Sequence, residues 1–266
     1  MIDFNVSLYS KIYLLVLVFA RMTGILLFTP VIGGRSVPRS VRCCEALLFS
    51  LITLPSLWYL AIPAPESVVV GFTAVLGEFL IGVAAGTGLL VFFSALAMTG
   101  DMIGRLGGFS VSASLDPSMG EEIPTLAVFL RMAGVAVFLL AGGLDAFVMG
   151  ALDSFTALSP GSGLFNEAAT VTVLTQILTS AVTLALRLAA PVILSAAVLW
   201  LTIGLLSRSF PQMNMMTFAF SGNTLLTLAV IHLTLAGTLW VVQAEIPNVL
   251  RLIFETLGSP PLFLPT

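Results

Sequence analysis

Between Val68 and Thr99 the chain runs for thirty-two residues with a single charge, Glu78. A helix needs about 20 apolar residues to cross a bilayer core, so this run is longer than one upright span. Comparable apolar stretches occupy about 12–32, 46–62, 124–150, 172–206 and 217–242, with a weaker amphipathic one near 246–257. Only 9% of the 266 residues are charged and 58% are hydrophobic. A soluble domain carries about 25% charged residues, because its surface faces water. The sequence therefore predicts an all-α, integral-membrane-type protein.

The lengths of the runs are uneven. The stretch 46–62 is short and is followed by Pro63 and Pro65, whereas 68–99 and 172–206 overrun a single span. Pro191 is expected to kink the latter. Such mismatch predicts helices that bend, tilt or pack against protein rather than lipid. Arg35, Arg39 and Arg42 form the densest basic cluster and mark a cytoplasmic connection. From there Glu66 falls outside, Arg105 inside, the acidic region 145–167 outside and Arg208 inside, with the N-terminus outside. Lys11 precedes the first run, Arg21 interrupts it, and no A-x-A-like site closes it, which fits an uncleaved membrane segment.

Several classes of function find no support. The net charge is -3 and the ten basic residues are dispersed, so no nucleic-acid-binding tract exists. Cys43 and Cys44 are adjacent, which gives neither a CxxC site nor a disulfide framework, and they read as small apolar residues near a helix start. There is no GxSxG, HExxH or GxxxxGK[ST] motif and one histidine, His232. No enzyme, cofactor or metal site is expected.

Two patterns concern packing. Glu78, Gly82 and Gly86 share one helix face, as do Gly100, Gly104 and Gly108. Small residues at this spacing let a neighbouring helix approach the backbone closely. Arg21, Glu78, Arg131, Arg187 and His232 lie inside apolar runs. A charge there costs about 2.5–3.5 kcal/mol on insertion scales, so each should pair, face water or lie outside the hydrocarbon. Structural pairing fits better than a proton relay, since no run of facing carboxylates is present. Asp101 and Arg105 stand at i and i+4 and can pair on one face. His232 is expected to be a hydrogen-bonded packing residue.

The segment "GDMIGRLGGFSVSASLDPSMGEEIP", beginning at Gly100, is the exception to this greasy pattern. Gly107 and Gly108 should end a helix, and Asp116-Pro117 should start a turn. Irregular backbone at membrane depth survives only when buried in protein or lining a water-filled path. Phe109, Val111 and Leu115 supply enough apolar bulk to fill a hole. An ordinary exposed loop is the other reading of the same residues.

This segment, the upstream "GEFLIGVAAG" and the downstream "LLSRSFPQMNMMTFAFSGN", in that order, resemble the FliR family of flagellar export-gate proteins, whose virulence-secretion counterpart is SctT. The likeness runs from "RMTGILLFTPVIGGRSVP" through nearly the whole chain. It implies a subunit of the flagellar type III protein export gate in the bacterial inner membrane and flagellar basal body, partly above the bilayer on the periplasmic side. The implied fold is a FliP-like helical part over residues 1–170, with a plug loop at 106–122, and a FliQ-like hairpin and C-terminal helix over 171–266. These would join FliP and FliQ in a helical hetero-oligomeric ring. Implied partners are also FlhB, FlhA, the exported flagellar proteins and membrane lipid, with no nucleic acid.

Carried over by motif, Gly107, Gly108, Phe109, Ser110, Val111, Ser112, Ala113, Ser114, Leu115, Asp116 and Pro117 form the loop that obstructs the pore. Glu78, Gly82, Gly86, Gly100 and Gly104 pack helices near the constriction. Arg208, Pro211, Gln212 and Asn214 form a cytoplasmic hairpin tip. Many relatives carry two histidines where this chain has Leu144-Asp145, so no role of theirs transfers. The main alternative is a secondary transporter with a broken-helix solute site, although no internal repeat is visible.

Overall fold

A computed structural model of the chain describes residues 2–30, 38–59, 62, 65, 67–109, 124–161, 167–209 and 215–255. Among the described residues the secondary structure is helical and contains no strand. The helices are α1 (Ile2–Phe28), α2 (Arg39–Thr53) with a 3-10 turn (Leu54–Leu57), α3 (Val68–Leu106), α4 (Thr125–Leu140), α5 (Gly143–Ala157), α6 (Glu167–Ser209) and α7 (Met215–Glu255). Among the described residues five stretches are long and apolar enough to cross a membrane: Tyr9–Phe28, Ser40–Leu57, Val68–Leu106, Val171–Ser209 and Ala219–Phe254. Taking α4 and α5 as one broken span makes six. The chain is thus an all-helical membrane protein.

α3, α6 and α7 contain 39, 43 and 41 residues. At 1.5 Å per residue each is roughly 60 Å long, about twice the thickness of a hydrocarbon core. Upright, each would leave about half its length outside the lipid.

α6 is one helix and contains Pro191. The sequence reading needs two corrections here. The stretches 217–242 and 246–257 belong to one helix, α7, which continues through Pro247. The run 124–150 is divided instead: Gly142 takes φ +71°, a left-handed conformation open to glycine, and α5 restarts after it. Cys43 and Cys44 lie near the start of α2, as read from the sequence, and are free and exposed.

The residues fall into two compact units, discontinuous in sequence. The first comprises Met1–Phe92, Gly142–Leu178 and Ile246–Thr266. Within it α1 lies against the first part of α3 so closely that glycine is required. A Cβ on Gly24 would stand 2.5 Å from the Phe79 carbonyl oxygen, and one on Gly82 would strike the Arg21 carbonyl. Gly86 faces the Ile25 carbonyl in the same way. Leu17, Val18, Leu89, Ile253 and Phe254 are buried in this unit. The Phe147 and Phe254 rings pack at 5.9 Å, over a face where Gly150 leaves room for Phe254. Lys11, the chain's one lysine, lies 4.5 Å from the Trp58 ring centroid, a cation–π contact.

The second unit comprises Phe93–Ala141 and Thr179–Glu245. Its core joins Ile103, Leu130, Ala189 and Val192, with Met102, Leu126, Ile193, Val230 and Ile231 packed around them. Gly100 lets α3 meet α4 at Leu126 and Ala127. Phe93 and Phe138 pack edge to face at 5.4 Å. The segments of α6 and α7 here form the two arms of a hairpin, closed near its tip by Trp200 against Phe220 at 6.2 Å. Leu194, Leu201, Leu205, Leu225, Leu233 and Trp240 are exposed on these arms. An apolar surface of this kind calls for lipid or another chain to cover it.

Candidate functional site

Two polar constellations stand out from the apolar packing, one in each unit. In the first, Arg21 of α1 is fully buried and Glu78 of α3 is 2% exposed. Arg21 Nε donates to Glu78 Oε2 at 2.6 Å. One terminal nitrogen donates to the Ser154 carbonyl (3.0 Å) and hydroxyl (3.2 Å), and the other to the Leu158 carbonyl (2.9 Å). The second Glu78 oxygen accepts from the Gly161 N–H at 3.0 Å. The guanidinium also lies 4.4 Å from the Phe155 ring centroid. One planar cation thereby ties α1, α3, the end of α5 and the connector after it. All three of its nitrogens are engaged, the condition under which a buried ion pair is tolerable.

The other charges in apolar runs behave differently. Arg187 donates to Glu245 at 3.3 Å from an exposed position, where a pair is worth about 0–1 kcal/mol. Arg131 and His232 are exposed. His232 is therefore not the packing residue the sequence suggested. Asp101 and Arg105 pair at 2.9 Å, as their spacing predicts.

The second constellation is the end of α3. Gly107 N–H bonds to the Ile103 carbonyl (2.8 Å), Gly108 N–H to Arg105 (3.3 Å) and Phe109 N–H to Gly104 (3.0 Å). Gly108 has φ +80°. The 6→1 and 5→2 bonds around a left-handed glycine make a Schellman C-cap. Gly107 and Gly108 thus end the helix, as read from the sequence. Gly108 is a cap, however, and does not continue a packing stripe with Gly100 and Gly104. From α7, Asn223 Nδ2 donates to the Leu106 carbonyl and Thr224 Oγ1 to the Gly107 carbonyl at 3.1 Å. A Cβ on Gly107 would meet the Thr227 methyl at 2.7 Å. Phe109 is exposed.

Gly108→Ala should weaken this cap by about 1–2 kcal/mol, since an L side chain resists that φ. Faster amide exchange over 103–109 would report it, and Gly108→Asn should be milder.

The residues singled out by sequence are thus distributed. Glu78, Gly82 and Gly86 gather against α1 in the first unit, whereas Gly100 and the buried Gly104 belong to the second. Gly107, Gly108 and Phe109 occupy the end of α3 and Arg208 the last turn of α6. Residues 110–117 and Pro211, Gln212 and Asn214 lie outside the described residues. The sequence reading missed Ser154, Gly161, Asn223 and Thr224. Asn223 carried a signal, as an amide inside an apolar run. The others are of common types, and two of the Arg21 contacts are backbone carbonyls that no side-chain pattern announces.

Long apolar helices, a glycine-mediated helix contact and a polar segment rooted at a helix end describe a helical membrane protein. Residues 12–249 match the family described as bacterial export proteins, family 1, and the chain belongs to that family. It is 30% identical to the flagellar biosynthetic protein FliR of Caulobacter vibrioides over 85% of this chain and 90% of that one. It is 31% identical to the surface presentation of antigens protein SpaR of Salmonella typhimurium over 95% and 93%. The figure is 30% for FliR of Escherichia coli K12 over 75% and 76%. The chain is a membrane component of a type III protein-export apparatus.

Proposed function

We propose that this chain is a subunit of the flagellar type III export gate and helps enclose the pore through which unfolded flagellar proteins cross the bacterial inner membrane. On this reading residues 1–170 are the FliP-like part and 171–266 the FliQ-like hairpin and final helix. Several copies of FliP and FliQ complete a helical ring in the flagellar basal body, part of it above the bilayer on the periplasmic side. The observation that carries the proposal is the root of the polar segment. α3 stops at a left-handed glycine, Gly108, and two α7 side chains hold the Leu106 and Gly107 carbonyls just before it, so the segment leaves from a fixed base. Helices about twice the bilayer thickness and exposed apolar arms favour a ring of subunits over a lone span.

The segment 107–117 acts as the obstruction, with Phe109 at its root, and Arg208, Pro211, Gln212 and Asn214 form the cytoplasmic tip beside FlhB. Glu78, Gly82, Gly86, Gly100 and Gly104 hold the helices that carry this loop. Energy comes from elsewhere, through FlhA and the proton motive force, and the chain itself works as a passive conduit.

Deleting residues 108–116 should let ions leak through membranes that contain the assembled complex, with FliP and FliQ still co-purifying. Unchanged conductance at normal assembly would dismiss the loop as the obstruction. A chain stable alone, without FliP or FliQ, would point to the transporter reading.

A further inference from the structure

We propose that Asn223 and Thr224 are the positioning residues of the gate, fixing the direction in which the chain leaves α3. The inference rests on the reading of 107–117 as the obstruction and adds the device that aims it.

The last carbonyls of any helix lack intrahelical partners. In α3 each of the final ones is accounted for. Ile103, Gly104 and Arg105 accept from the backbone of residues 107–109. Leu106 and Gly107 accept from Asn223 and Thr224 of α7. The backbone cap closes the helix, and α7 supplies the donors for the Leu106 and Gly107 carbonyls.

The α7 residues involved form one face. Phe220, Asn223, Thr224 and Thr227 stand at i, i+3, i+4 and i+7, a spacing that puts them in line along a helix. The Thr227 methyl faces Gly107, and the Thr224 hydroxyl and Phe220 ring face Gly108. Asn223 is 1% exposed, and its side-chain oxygen has no hydrogen-bond partner among the described residues. Asn223 is the residue that links hairpin to loop root. α7 begins at Met215, so Asn223 lies about two turns from the tip that the proposed function sets beside FlhB. A shift of the hairpin would reach the loop root through a continuous helix.

The test uses the full complex in membranes, with five forms of this chain: Asn223→Leu, Thr224→Val, the 108–116 deletion, and each substitution combined with the deletion. Amide exchange over 103–109 and ion leakage per assembled complex are the readouts. Each substitution should speed exchange of residues 107–109 by about fivefold, the equivalent of one net hydrogen bond, and raise leakage. Neither should add to the leakage of the deletion. Normal leakage in both substitutions while the deletion leaks would overturn the positioning role and leave the obstruction standing. Leakage that adds to that of the deletion would place their effect elsewhere and also overturn it. A tight deletion would bring down the underlying reading instead. Failure of both substitutions to assemble would make the pair a fold staple, against the proposal.

Discussion

Arg21→Ala is expected to destabilise the chain by about 3–5 kcal/mol, because it leaves the Glu78 carboxylate buried and unpaired. The size follows from the geometry. Neither side chain reaches water, and the guanidinium satisfies a carboxylate, a hydroxyl and two backbone carbonyls at once. Lysine cannot replace it, since one ammonium lacks the planar fork that spans these partners. Glu78→Gln should also fail. Its oxygen can still accept from Gly161, but its amide nitrogen would then face the Arg21 donor. Replacing both residues with apolar side chains, as in Arg21→Met with Glu78→Leu, should recover much of the loss, because the desolvation of two charges is removed along with their attraction. The Ser154, Leu158 and Gly161 groups would still lose partners, so recovery should stop short of the parent. Midpoints of thermal inactivation for the purified complex, compared across the two single variants and the double, would measure this. Single variants as stable as the parent would show that water reaches the pair.

How far the sequence could be read depended on whether a contact leaves a mark on composition or spacing. The class was legible because lipid tolerates so few charges, and Glu78 alone within 68–99 is enough to make the point. The α3 terminus was legible because glycine pairs end helices for a conformational reason, and Gly108 takes the expected left-handed φ. Element boundaries were less so. The stretches 217–242 and 246–257 are one helix that continues through Pro247, while a break came at Gly142 in an unbroken apolar run. A proline removes one helical hydrogen bond, and packing can offset that loss. The pairing of Arg21 with Glu78 across 57 positions was expected in kind, but the partner could not be named, since nothing local records which helices meet. The same limit hid Asn223, whose role depends on α7 lying beside the end of α3.

Gly82→Ala should be nearly as damaging as losing the arginine, although it adds only one methyl group. The new Cβ would collide with the Arg21 carbonyl and also press on the Ile25 backbone nitrogen. Backbone cannot rotate away as a side chain can, so α1 and α3 must separate. Overpacking costs about 1–3 kcal/mol where neighbours can shift, and this site belongs at the upper end. The contact is reciprocal, since Gly24 already sits against Phe79 and Val83 of α3. Separation therefore loosens both glycines together. It also moves the residue whose guanidinium must stay 2.6 Å from Glu78, so Gly82→Ala and Arg21→Ala should be less than additive, as expected for neighbours in one network. Gly77, on the same helix five residues earlier, has no packing neighbour within 4 Å of an added Cβ among the described residues. Gly77→Ala should be neutral, or stabilising by up to about 1 kcal/mol from helix propensity. Melting the three variants and the parent side by side separates the two effects. Equal behaviour of Gly77→Ala and Gly82→Ala would mean that propensity, and not the close approach of α1, governs this part of α3.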